Sequence, residues 1–67
     1  MSIDPWSEGY LDGRAPSTPE PGPNRDPRYA HSWRVGRAEI EGRPIPAAVS
    51  RAAAAAIEAE MEAKDVR

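Results

Sequence analysis

Trp6-Ser7-Glu8-Gly9 and Trp33-Arg34-Val35-Gly36 are the two stretches on which the fold turns. Both read Trp-x-x-Gly, and each follows an Asp-Pro pair, Asp4-Pro5 and Asp26-Pro27. Asp is a favoured N-cap and Pro suits the first helical position, so each pair predicts the start of a helix. Positions three and four apart share a helix face. Each tetrad therefore sets an indole beside a bare patch of backbone. The pattern predicts two short helices in close contact, the Trp of one over the Gly of the other.

Working outward, the first helix is expected over 4–13. Trp6, Gly9, Tyr10 and Gly13 fall on one face, with Glu8 and Asp12 toward solvent and Gly13 as the stop. Its two glycines cost roughly 1 kcal/mol each relative to Ala, so this helix needs its partner to form. Residues 14–25 contain Pro16, Pro19, Pro21 and Pro23, which exclude a helix or a central strand. A stiff polyproline connector is the simpler reading, and a ligand for an aromatic-lined groove is the other. The second helix is expected over 26–41, ended by Gly42 and Pro44. Tyr29, Trp33, Gly36 and Ile40 form its inner stripe. The third is expected over 46–64, where nine alanines occur between Ala47 and Ala63. Val49, Ala53, Ala56, Ile57 and Met61 mark its apolar stripe. This helix either packs against the pair or carries a homodimer seam. The predicted fold class is all-α, one domain of an antiparallel helix–loop–helix pair (4–13, 26–41) plus a C-terminal Ala-rich helix (46–64).

Sixty-seven residues without a cysteine leave a small core and no disulfide or thiolate metal site. Marginal stability, a partner or self-association is the expectation. No apolar run approaches the roughly 20 residues of a membrane span. The N-terminus lacks the basic and apolar regions of a signal peptide, so a cytoplasmic protein is expected.

The net charge of −2 is unevenly placed. Residues 1–13 hold Asp4, Glu8 and Asp12 and no base, whereas residues 14–43 carry a local +2. Eight of the nine basic residues are Arg. A guanidinium fork suits phosphate and carboxylate recognition, although a GC-rich genome produces the same bias. Arg25, Arg28, Arg34 and Arg37 are the candidate RNA or anion contacts, with Tyr29 and His31 as stacking partners. A lone His without a second His or Cys nearby reads as a surface residue rather than a metal ligand or base. No phosphate-cradling glycine loop, Ser-His-Asp order or paired carboxylate stands out, so neither catalysis nor a cofactor is expected.

Gly9-Tyr10-x-x-Gly13, then a loop, then Arg28-Tyr29, Trp33-x-x-Gly36 and Ala38 together resemble the ribosome modulation factor family. The resemblance covers about residues 6–40. It implies two antiparallel helices joined by a loop, and ribosome hibernation through binding near the messenger-RNA exit region of the small subunit. This chain departs from the family in being acidic, in reading Pro27-Arg28-Tyr29 where the family has Pro-Tyr, and in its Ala-rich third helix. Plasmid and phage relatives have other roles, a drug-modifying one among them.

Three readings follow. The first is a non-catalytic regulator bound to the ribosome or its RNA. The second is a protein-binding module, such as a phage- or plasmid-encoded inhibitor of a host machine. The third is a small drug- or nucleotide-modifying enzyme. Trp6, Gly9, Tyr10, Gly13, Trp33, Gly36 and Ile40 are structural in all three.

Overall fold

The computed structural model describes residues 3–65, with side chains placed for 3–64. It is all-α: α1 spans Pro5–Arg14, α2 Pro27–Ile40 and α3 Ala47–Asp65, and no strand occurs among the described residues. Each helix lies within one residue of its predicted span. No helix among the described residues is long and apolar enough to cross a membrane.

The predicted starts form as the sequence dictates. The Asp4 carboxylate accepts the Ser7 N–H and the Ser7 hydroxyl, each at 3.0 Å. Asp26 accepts the Arg28 N–H at 2.9 Å, and Pro5 and Pro27 occupy the first turns. Gly42 ends α2 with φ of 78°, a left-handed conformation that other residues adopt only at a cost. Its N–H donates to the Glu39 carbonyl at 3.2 Å, and the Arg43 N–H donates to that of Ala38 at 3.0 Å. This double closure satisfies carbonyls that the helix end would otherwise leave open.

The helix pair differs from expectation in direction. Gly9 lies against the Tyr29 backbone, and one turn further along both helices Gly13 lies against the Trp33 backbone. Trp6 meets His31 toward the starts of the helices, and Arg14 meets Glu39 toward their ends. α1 and α2 therefore run the same way, which corrects the antiparallel pairing implied by the family resemblance. The connector permits this. α1 is about 15 Å long, and residues 15–26 can extend to about 40 Å, enough to return to its starting end.

The contact itself is backbone on backbone, where an indole over a glycine was expected. A Cβ at Gly9 would overlap the Tyr29 carbonyl oxygen and lie 3.0 Å from the Tyr29 Cα. At Gly13 it would overlap the Trp33 oxygen and lie 2.9 Å from the Trp33 Cα, and at Gly36 it would overlap the Tyr10 oxygen. Glycines four apart on one helix permit this approach. Gly13 accordingly serves packing, and α1 continues to Arg14 instead of stopping there.

Tyr29 and Trp33, 7% and 5% exposed, are the buried large side chains, and Ser32 is buried beside them. Ile40 is 40% exposed and leaves the predicted inner stripe, because α1 has already ended alongside Glu39. α3 touches only α2 among the helices to any extent. It turns Ser50, Ala53, Ala54, Ile57 and Met61 inward, all half-buried. Val49, 58% exposed, and Ala56 face outward, so the docking stripe is rotated from the predicted one. Ser50 replaces Val49 in it, with its hydroxyl 3.4 Å from His31 Nε2.

Candidate functional site

The six candidate contact residues separate into two groups by what already holds them. Arg37 is taken up by the fold. Its Nε donates to the Gly13 carbonyl at 2.8 Å, and its Nη2 donates to those of Ala15 and Thr18 at 2.9 and 3.0 Å. The guanidinium caps the C-terminal end of α1, where its charge also opposes the negative end of the helix dipole. It lies over the Trp33 ring at 4.3 Å, a cation–π contact. Trp33 Nε1 is buried with no hydrogen-bond partner among the described residues.

Tyr29 is likewise interior, which corrects its expected role as an exposed stacking surface. Its hydroxyl donates to Asp12 Oδ2 at 2.6 Å. That bond, followed by burial, raises the phenol above its ordinary value of 10.0. The Arg25 guanidinium covers the ring at 3.8 Å, so no base can stack there in this arrangement. Asp12, expected on the solvent side, is thus half-buried and bonded across the pair. Arg28 closes on its own N-cap, with Nε 3.0 Å from Asp26 Oδ1 and Nη2 2.6 Å from Oδ2. This bidentate pairing leads the causes that lower the Asp26 pKa.

Arg25, His31 and Arg34 come together. They line one open cleft of about 360 Å³ with Gly22, Pro23, Ala30 and Ile57. Arg25 is held there by the turn in which its N–H donates to the Gly22 carbonyl at 3.2 Å. Arg34 is exposed, and Glu20 reaches it only at 4.0 Å, between two solvated side chains. Such a pair contributes little and leaves the guanidinium donors available. His31 is half-buried between α1 and α3, with the Trp6 ring edge-on at 6.1 Å and Ser50 beside it. It was expected as a surface residue; Trp6 of α1 on one side and Ser50 of α3 on the other half-bury it.

Further residues matter that the sequence did not single out. Glu39 Oε1 accepts the Tyr10 hydroxyl at 2.5 Å and pairs with Arg14 at 2.6 Å, fastening the C-terminal ends of α1 and α2. The usable signal was its spacing, three residues after Gly36 on the side turned to α1. Thr18 donates its hydroxyl to the Asp12 carbonyl and, at 2.9 Å, to that of Ala15, which starts the returning loop. Among the described residues no cluster of His, Cys, Asp and Glu has the makings of a metal site. No family model, curated protein or solved structure matches this chain.

Proposed function

We propose that the chain is a non-catalytic RNA-binding regulator of the ribosome modulation factor-like type, contacting phosphate through Arg25 and Arg34 with His31 between them. The observation that carries this reading is the convergence of these three side chains on one open cleft. Arg28 and Arg37 are hydrogen-bonded within the fold, whereas Arg25 and Arg34 are exposed, Arg25 lying over the Tyr29 ring and Arg34 4.0 Å from Glu20. Two guanidinium forks beside an imidazole suit the phosphates of a single-stranded backbone. The motif that carries the resemblance, Gly9-Tyr10-x-x-Gly13 with Trp33-x-x-Gly36, supplies the contacting faces of the helix pair and so holds α2 in place.

The test is anisotropy of a labelled single-stranded RNA of roughly 12 nucleotides, titrated with wild type and with Arg25→Ala/Arg34→Ala. Wild type binds with an affinity that falls as salt rises. The double variant binds more weakly, with a salt slope smaller by about 1.4, two contacts at roughly 0.7 each. Unchanged affinity in the double variant refutes the site.

A second reading rests on a separate observation. Trp6, Ser7, Tyr10 and Leu11 line an open apolar patch on α1, and Leu11 is 58% exposed. A protein partner docked there fits the inhibitor-type reading. Leu11→Glu then abolishes capture of that partner and leaves RNA binding unchanged.

A further inference from the structure

We infer that α3 is an acidic cover for the phosphate-contacting face of α2, and that RNA and α3 compete for that face. The inference rests on the RNA reading above and concerns its regulation.

Three features of the chain lead to it. The first is position. Ser50 sits 3.4 Å from His31, Ile57 forms a wall of the Arg25/His31/Arg34 cleft, and Glu58, Met61 and Glu62 surround a second cavity with Arg28 and Trp6. One helix thus reaches all the basic positions of α2 except Arg37, which caps α1. The second is charge. From Glu58 onward α3 carries Glu58, Glu60, Glu62 and Asp65 against Lys64 alone. This anionic end lies beside Arg28, in the first turn of α2, where the helix dipole is positive and a phosphate is also drawn. Glu58 and Glu62 of this end line the cavity that Arg28 also lines.

The third is how lightly the cover is held. Among the described residues of α3 no side chain is buried, and three of the five inward positions are Ser50, Ala53 and Ala54. Small side chains remove little apolar area from water, so the docked and undocked states differ by a modest free energy. The helix itself does not depend on docking. Its 19 residues are Ala-rich and exceed the length at which an isolated helix becomes marginal, about 12–15. A ligand that binds the uncovered state then shifts the population by its differential affinity.

The experiment uses the full chain and the variant Glu58→Gln/Glu62→Gln, which removes two exposed charges beside Arg28 and leaves the glycine contacts between α1 and α2 unchanged. Binding of the same single-stranded RNA and backbone hydrogen exchange are measured for both proteins. At about 50 mM salt the variant binds about three- to tenfold more tightly than wild type. Its α3 amides exchange several-fold faster, with α1 and α2 unchanged. In wild type, saturating RNA accelerates exchange in α3. Wild-type binding with no gain in the variant, or α3 amides more protected on adding RNA, overturns the cover and leaves the RNA reading standing. No binding by either protein overturns the RNA reading, and the cover with it.

Discussion

Gly13→Ala separates this packing from a loose association of helices by the sign of its effect. In an isolated or loosely held helix the change stabilises, because Ala is favoured over Gly by about 1 kcal/mol. Here the added Cβ would overlap the Trp33 carbonyl oxygen and lie 2.8 Å from the carbonyl carbon and 2.9 Å from the Cα. Carbon atoms rest at about 3.5–4.0 Å, so α1 and α2 must part by most of an ångström. The obstacle is main chain, and no side chain can rotate out of the way. Overpacking of this kind costs about 1–3 kcal/mol, here toward the upper end, which leaves a net loss of about 2 kcal/mol after the propensity gain. In a domain of this size that lowers Tm by about 8–16 °C. Thermal unfolding followed by circular dichroism and by Trp fluorescence gives the answer. Gly22→Ala is the control, since nothing lies within 4 Å of that position. A Tm for Gly13→Ala equal to or above wild type would falsify the backbone-on-backbone contact.

Other perturbations test the remaining parts. Arg37→Ala removes three bonds to the carbonyls of Gly13, Ala15 and Thr18 and costs about 2 kcal/mol; a lowered Tm places Arg37 in the fold, and an unchanged Tm with weakened RNA binding returns it to the ligand surface. Gly42→Ala places a Cβ on a residue with φ of 78° and costs about 1 kcal/mol by denaturant unfolding, with no change in RNA affinity. Acid weakens the molecule through its N-caps. The Ser7 N–H holds Asp4, and the Arg28 side chain holds Asp26, below the ordinary 3.8. Folded pKa values below the unfolded ones mean this stability is present above about pH 4 and lost as pH falls through the folded values. The opposite holds for Tyr29, raised above 10.0 chiefly by its bond to Asp12, so its contribution is intact below pH 10 and lost above it. Unfolding free energy against pH checks both limbs, and Tyr29→Phe removes the alkaline one.

Much of the fold was legible because it is encoded locally. Asp-Pro starts, the Gly42-Pro44 stop and the alanine run each act within a turn of their own position, and the three helices form where these signals stand. Direction was not legible. Trp-x-x-Gly names the faces that meet but is the same for parallel and antiparallel pairs, and a connector as long as residues 15–26 allows either. Nor could sequence tell a spare arginine from a committed one. Arg34 and Arg37 are three residues apart and chemically identical, yet one faces solvent and the other caps α1, because only the latter lies against the end of α1. Tyr29 lies in the inner stripe as expected, and its other expected role, as a stacking surface, failed for a related reason. A tyrosine suits both a core and a stacking surface, and its choice depends on Asp12 across the pair.

The central claim, that Arg25 and Arg34 bring this chain to the ribosome, is tested most directly by co-sedimentation with ribosomes on sucrose gradients at about 50 mM and about 200 mM salt. Wild type is predicted to travel with the small subunit or with paired ribosomes at low salt and to leave them as salt rises, while Arg25→Ala/Arg34→Ala, folded to the same Tm, stays at the top of the gradient. Wild type remaining at the top at both salts, or the double variant sedimenting as wild type does, would contradict it.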